Sequence, residues 1–377
     1  MLLVHSSSGR YGADRQLYLL ATGLDRGRYE PLVVLPDARE LAVDLRGAGV
    51  EVLVAPVSVI RRGLLHPRGV ASLGSGAMRD AVKLGRVIRR RRVALVHSNT
   101  SVVLGGAGAA AAARVPHIWH VREIYSRFGR VWPAYRRVLQ TASALPCVSR
   151  ATAAQFPLGG RVQVISDGLA VSRPRVPRAR ARAELGLDPD TPTIAVLGRV
   201  SDWKGQDVLV RALAHERLHE RGVIGLIAGD PWPGAQDRLD AVLALAAELG
   251  VSDRLRLLGF REDVETIYGA ADIVAVPSTQ PDPLPGAAIE AAAAGCAVLA
   301  SAHGGLPEII SDGATGRLVA PGDGAAFART ARELLDDPEQ RARLGAAAAR
   351  NVRERFSTTR LLEAVQSLYD SVLDRSA

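Results

Sequence analysis

Two cations stand five residues apart in Val196-Leu197-Gly198-Arg199-Val200-Ser201-Asp202-Trp203-Lys204-Gly205, just past a strand-like run. Only Lys83 and Lys204 among 48 basic residues are lysines, so a lysine at 204 runs against the composition of the chain. An arginine fork beside a lysine point charge suits a diphosphate. Facing one, the pair would stabilise charge building on a departing phosphate, an effect worth a few kcal/mol per donor. A lysine in a surface salt bridge is the competing reading. Further on, Pro277-Ser278-Thr279-Gln280-Pro281-Asp282-Pro283-Leu284-Pro285-Gly286 leads into Ala287-Ala288-Ile289-Glu290. This places Asp282 on a proline-rich loop and Glu290 in the first turns of a helix of small residues. A carboxylate there ordinarily serves the helix dipole, but one set among alanines after such a loop points to a ligand. His303-Gly304-Gly305-Leu306-Pro307-Glu308 adds a glycine turn with backbone amides expected to be free. Near the start, Ser6-Ser7-Ser8-Gly9-Arg10-Tyr11-Gly12-Ala13-Asp14 is a small-residue turn before a helix, where Gly12 would let an anion approach the helix N-terminus. Backbone geometry alone also explains a glycine there, and the spacing is not the dinucleotide fingerprint.

These residues need strands and helices to hold them, and both kinds alternate along the chain. Leu2 to His5, Pro31 to Leu35, Val50 to Val54, Ala94 to His97, His117 to His120 and Ala144 to Val148 read as short buried strands, with amphipathic stretches at Arg15 to Leu24 and Arg79 to Arg90. After a Pro/Arg-rich linker, Arg173 to Arg182, the pattern restarts. Its strands are Thr193 to Leu197, Ile224 to Ala228, Leu255 to Leu258, Ile273 to Val276 and Ala297 to Ala300, and its helices Gln206 to Ala214, Arg238 to Leu249 and Ala287 to Ala294. The fold class is α/β, with two Rossmann-like, doubly wound parallel sheets. Ligands in such sheets lie beyond the carboxyl ends of the strands, so the two domains are expected to face a cleft.

A chain of 377 residues fits two domains at roughly 100 to 200 residues each. Cys147 and Cys296 are the only cysteines and lie far apart, so they are expected to be buried free thiols. The apolar run Val102 to Ala113 is well short of the roughly 20 residues of a membrane span, and the chain enters a strand without a charged leader. The expected location is the cytoplasm. Residues 1–185 carry 29 Lys+Arg against 11 Asp+Glu, net +18, while the remainder is net −9. Basic clusters lie at Arg61-Arg62, at Arg86 with Arg89-Arg90-Arg91-Arg92, and at Arg127, Arg130, Arg136 and Arg137. An anionic partner and a solvated arginine-rich face are both open readings. Nucleic acid is not expected as that partner, because no aromatic-basic interleaving or recognition motif accompanies the charge.

Gly12-Ala13-Asp14-Arg15, Val148-Ser149, Ile165-Ser166-Asp167-Gly168, Gly198-Arg199 with Lys204-Gly205, Asp282 with Glu290, Gly304-Gly305 with Glu308 and Phe356-Ser357 occur in this order. In order and spacing they resemble the family 4 retaining glycosyltransferases of the GT-B fold over nearly the whole chain. The resemblance implies an acceptor-binding domain at 1–170, a nucleotide-sugar-binding domain at 171–357, and a last helix in 358–377, about Leu361 to Leu373, packing back on the first domain. It implies donor contacts from Gly12, Arg199, Lys204, Gly286, Glu290, Gly304 and Gly305, with the diphosphate on Arg199 and Lys204 and the ribose on Glu290. Asp282 would contact the transferred sugar, as would His120 in Trp119-His120-Val121-Arg122-Glu123, although Arg122 and Glu123 compete for that role and a core histidine is an equal reading. Two departures stand out. Asp282 replaces the usual glutamate, one methylene longer, and Pro285 replaces a common glycine and has no N–H to donate.

The implied reaction is front-face transfer with retention, in which the leaving phosphate acts as base and cations stabilise the separating charge. The expected donor is a UDP-sugar, then a GDP-sugar, with a hydroxyl acceptor in polysaccharide, glycolipid or natural-product glycoside synthesis. No carboxylate cluster suits Mg²⁺, so the enzyme is expected to be metal-independent and free of cofactors. A lipid-linked acceptor, with peripheral contact at the anionic inner face of a membrane, would account for the basic half. Two alternatives keep the fold and change the function: a sugar-nucleotide epimerase or pseudo-glycosyltransferase, and a non-catalytic partner subunit.

Overall fold

In the computed structural model, residues 1–60, 67–157, 159–169 and 174–375 are described; Arg61, Arg62 and Arg173 lie outside them. The chain divides into two compact units, Met1–Ala170 with Thr358–Ala377, and Val171–Ser357. The first is built on a five-stranded parallel sheet of β1 (Leu2–Val4), β2 (Leu32–Leu35), β3 (Glu51–Val54), β4 (Val96–Ser98) and β5 (His117–Trp119), ordered β3-β2-β1-β4-β5. A parallel pair, β6 (Leu145–Cys147) and β7 (Val162–Val164), joins β5 through bridges at Ile118–Ala144 and Val121–Cys147. The second unit holds a six-stranded parallel sheet of β8 (Thr193–Leu197), β9 (Ile224–Ala228), β10 (Leu255–Gly259), β11 (Ile273–Val276), β12 (Val298–Ser301) and β13 (Arg317–Val319), ordered β10-β9-β8-β11-β12-β13.

Each sheet is wound outward from its middle, so neighbouring crossovers diverge at β1/β4 and at β8/β11. These are the switch points where the backbone opens room for a ligand. Alternate residues of the strands fill the two faces of the first sheet. Leu3, Val33 and Leu35 join one apolar cluster, and Leu2, Val4, Leu32 and Val34 the other. The helix Thr358–Asp374 supplies the first of these clusters with Leu361, Val365, Leu368, Tyr369 and Val372, one face of a 3.6-residue repeat. It is anchored by Thr358 Oγ1 donating to the Leu169 carbonyl at 3.0 Å and by Arg28 paired with Asp370 at 2.6 Å. Gly23 gives it room, because a Cβ there would press on Leu362 at 2.6 Å.

Several elements depart from the sequence pattern. The helix written as Arg79 to Arg90 begins at Pro67, because Gly69, Gly74 and Gly76 dilute the apolar repeat of its first half. The linker written as Arg173 to Arg182 gives way to a helix, Arg178–Glu184, that belongs to the second unit. Arg182 is 1% exposed and donates to the carbonyls of Asp188 and Ala270 at 2.9 and 2.8 Å, near the buried carboxylate of Asp272. Cys147 and Cys296 are buried and free. Among the described residues no helix is long and apolar enough to cross a membrane.

Polar groups also lie inside the first unit. His97 on β4 is fully buried, with Nδ1 2.6 Å from the Tyr369 hydroxyl, and His117 on β5 has Nε2 2.9 Å from Ser98 Oγ. Burial pushes both imidazoles down from 6.5 to about 3. The unfolded chain therefore binds protons that the folded chain refuses between those values, and stability falls as pH falls through that window. The expected loss is about 1.4 kcal/mol per pH unit for each histidine. Urea midpoints measured from pH 7 to pH 5, above the range where carboxylates titrate, should decline steadily; a flat profile would contradict the burial argument.

Candidate active site

At the β8/β11 switch point of the second unit, three loops come together through glycine. The β8 loop ends at Gly205, whose φ of +80° favours glycine and whose missing Cβ leaves space taken by the Pro277 carbonyl of the β11 loop. Thr279 N donates to the Trp203 carbonyl across this contact at 2.8 Å. The β12 loop closes from the other side. A Cβ on Gly304 or Gly305 would collide with the backbone of Asp282 or Pro283, and the Gly305 amide donates to the Asp282 carbonyl at 2.8 Å. The expectation of a free amide at Gly305 is thus corrected: it holds the loop that carries Asp282. His303 Nε2 donates to the Ser278 carbonyl at 2.8 Å and supports the same loop.

This packing brings together residues 78 apart in sequence. Lys204 Nζ lies 2.6 Å from Asp282 Oδ2, with Asp282 only 4% exposed. Lys204 is therefore in a salt bridge, but with the other candidate site residue rather than with a surface partner. The Arg199 guanidinium lies 3.4 Å above the ring of Trp232, and Lys204 Nζ 4.3 Å from the ring of Trp203. Gln206, buried behind them, donates to the Arg199 carbonyl at 3.1 Å. Pro285 precedes the helix Gly286–Ala293, and its carbonyl accepts from Ala288 N at 3.0 Å. Gly286 is exposed at the start of this helix, and Glu290, one turn in, accepts from the Tyr268 hydroxyl at 3.3 Å.

The β1/β4 switch point of the first unit carries a second constellation. His5 Nε2 lies 2.9 Å from Asp14 Oδ1, and Ser7 Oγ and the Tyr11 amide also donate to that carboxylate, at 2.5 and 3.0 Å. Burial pushes the Asp14 carboxyl up, but these donors outweigh it and leave it below its ordinary value. Gln16 exchanges two hydrogen bonds with the backbone of Gly168, at 2.8 and 3.0 Å. Gly12 begins the helix Gly12–Gly23, is exposed, and has no atom within 4 Å of where a Cβ would sit. No protein neighbour demands a glycine there, and an approaching ligand would meet bare backbone.

The three competitors after β5 separate clearly. Arg122 is paired with Asp167 and donates to the Asn99 carbonyl at 2.8 Å. Glu123 accepts from Ser101 Oγ at 2.5 Å and from the Arg122 amide at 3.1 Å, and burial raises its carboxyl. Both hold the loop. His120 is fully buried, and among the described residues neither ring nitrogen has a hydrogen-bond partner within normal geometry, although the Ile165 backbone lies near. Burial first, and then Arg122, keeps it neutral. Its ring is stacked on His97 at 5.4 Å and 13°. A buried polar group without a partner is costly and rare, so His120 is the member of the three whose surroundings leave hydrogen-bonding capacity for something else. The sequence pattern does not single out Trp232, Tyr268 or Asn99; four tryptophans in 377 residues, one of them in Pro231-Trp232-Pro233-Gly234, were the available signal.

Comparison with known proteins bears on the family and the fold. The model for glycosyl transferases group 1 matches residues 177–351, and that for Glycosyltransferase Family 4 matches residues 11–173. A D-inositol 3-phosphate glycosyltransferase of Nocardia farcinica is 40% identical over 218 residues, which cover 56% of this chain and 48% of that protein. The chain spans about half the length of the curated relatives it matches. The crystal structure of Anabaena HepE in complex with UDP and glucose is similar over 98% of this chain and 99% of that one, with a TM-score of 0.83 and 25% identity. Sucrose-phosphate synthase of Thermosynechococcus elongatus has the same fold, with a TM-score of 0.80 over 99% of both chains at 20% identity. Matched in its two halves by these family models and along its length by these folds, the chain belongs to the family 4 glycosyltransferases and has the GT-B fold.

Proposed function

We propose that the chain is a hexosyltransferase type of glycosyltransferase that moves a sugar from a nucleoside diphosphate to a hydroxyl with retention of configuration. The observation that carries the reading is the pairing of Lys204 with Asp282 among three interlocked loops after β8, β11 and β12, with Arg199 on the first of these loops and Glu290 on the helix that follows the second. Arg199 and Lys204 would hold the diphosphate, and Glu290 the ribose hydroxyls, with Gly286, Gly304 and Gly305 shaping the donor's bed. Asp282, steadied by Lys204, would meet the sugar. Gly12 is assigned to the diphosphate and His120 to the sugar; the bare backbone at the first and, among the described residues, the unsatisfied ring nitrogens of the second support those roles. The leaving phosphate takes the acceptor proton while the two cations stabilise the charge that develops on it. No carboxylate acts as nucleophile, and no metal or cofactor is required.

A UDP-sugar is the favoured donor, because HepE has been crystallised with UDP-glucose; a GDP-sugar comes next. In calorimetry, UDP or GDP is expected to bind, and Lys204→Ala and Glu290→Ala each to weaken binding about tenfold. If none of UDP, GDP, ADP or dTDP bound, the donor-site assignment would fail. Turnover is expected to persist in EDTA; loss of activity restored by a divalent cation would overturn the metal-independent part.

The acceptor is proposed to be anionic, in keeping with the net charge of +18 over residues 1–185. The helix Pro67–Arg90 exposes Met78 and Val82, 68% and 46% accessible, on a face with Arg79, Lys83, Arg86 and Arg90. Such a face suits the inner leaflet of a membrane carrying a lipid-linked acceptor. A free phosphorylated polyol is the other source of the same charge, and the inositol phosphate of the relatives' name favours it. Phosphatidylglycerol vesicles separate the two: co-sedimentation at low salt with release at high salt supports the lipid, and no co-sedimentation at low salt supports the free acceptor.

A further inference from the structure

The two site cations of the second unit share a feature that the donor reading does not require. Each lies against a tryptophan, and Trp203 and Trp232 are the only tryptophans in residues 171–357. Aromatic residues make up only 4% of the chain, which makes the pairing harder to attribute to composition. Trp232 is 56% exposed, yet its backbone is held firmly. Pro231 bridges to Val200, and the Val200 amide donates to the Asp230 carbonyl at 3.1 Å. Beyond it, the Trp232 carbonyl accepts from Ala235 N at 2.8 Å, closing a turn with Pro233 and Gly234 at its centre and φ of +83° at Gly234. That arrangement suits a type II turn. Flanking prolines restrict the backbone further. Gly229, at φ +139°, lets this loop lie directly on the Gly198 carbonyl, next to Arg199. Trp203 is held as firmly, because its carbonyl accepts from Thr279 N at 2.8 Å.

We propose that Trp232 and Trp203 are positioning residues for the donor diphosphate: their rings seat Arg199 and Lys204 by cation–π contact, so the long cationic side chains are already gathered before the nucleotide arrives. The inference rests on the donor-site reading above. A flexible arginine loses rotamer freedom on grasping a phosphate, and a seat that limits this freedom beforehand improves affinity. An aromatic face also attracts a cation without itself bringing an anion that would compete with a phosphate. Asp282 also holds Lys204 and would mask part of the Trp203 contact, so the test centres on Trp232.

The test is a calorimetric titration of UDP into wild type, Trp232→Leu, Trp232→Phe, Arg199→Ala and the double variant, with Trp203→Leu and Lys204→Ala as a second set. Trp232→Leu is expected to weaken UDP about two- to fivefold with an unchanged melting temperature, and Trp232→Phe to recover most of the loss. In the Arg199→Ala background Trp232→Leu should add nothing, and Trp203→Leu should likewise add nothing to Lys204→Ala. Wild-type affinity in Trp232→Leu, or an equal loss with and without Arg199, would overturn the proposal while leaving the donor site standing. Failure of the wild type to bind UDP or GDP would overturn both together.

Discussion

The loops of the second unit approach one another more closely than a Cβ permits. Gly205 passes the Pro277 carbonyl, and Gly304 and Gly305 pass the backbone of Asp282 and Pro283, so three crossover loops share space that side chains would have kept apart. Everything chemical at this end of the sheet follows from that approach. Lys204 reaches Asp282 because their loops are in backbone contact, and the Gly305 amide fixes the height of the Asp282 loop. The parallel sheet makes the arrangement possible, since β8, β11 and β12 deliver their loops to the same edge. Alanine and glycine in the helix Gly286–Ala293 continue the economy of bulk, leaving Glu290 as its one long polar side chain.

The first unit uses the same topology with a different electrostatic character. There buried imidazoles lie on β4 and β5 and just past β5, and the low polarity of the interior keeps His97, His117 and His120 neutral. Carboxylates nearby are divided by their donors. Asp14 is held ionised by His5, Ser7 and Tyr11, whereas burial raises Glu123. Arg122 spans the two kinds of neighbour, pairing with Asp167 and donating to Asn99. A neutral His120 can donate one hydrogen bond and accept another without adding a charge.

Much of this was legible in the sequence, because a parallel strand buried on both faces writes itself as an apolar run. Thr193–Leu197, Ile224–Ala228 and Ile273–Val276 have the bounds that their apolar runs give. β4 runs to Ser98 rather than His97 because its end is polar and buried, a combination that hydropathy does not mark. The short edge strands β7 and β13 escape for a related reason: each spans three residues and is only partly covered. Candidate site residues were legible as types and spacings, and Arg199, Lys204, Asp282 and Glu290 lie on the segments that follow β8 and β11. Their partners were not. Nothing in a one-dimensional spacing tells that Lys204 bonds Asp282, that the Gly305 amide is already engaged, or that an exposed tryptophan lies over Arg199.

The helix Thr358–Asp374 completes the core of the first unit, although the whole second unit precedes it in the chain. On the ribosome, therefore, the order of folding is the reverse of the order of emergence. Residues 1–169 leave the exit tunnel first but lack the apolar face of Leu361, Val365, Leu368 and Tyr369, while the second unit is contiguous and can close as soon as Ser357 is free. The sheet of the first unit must wait, with one apolar face only partly covered, until residues 358–374 have been synthesised, so the nascent chain's exposure to chaperones falls on the unit that was begun before the other.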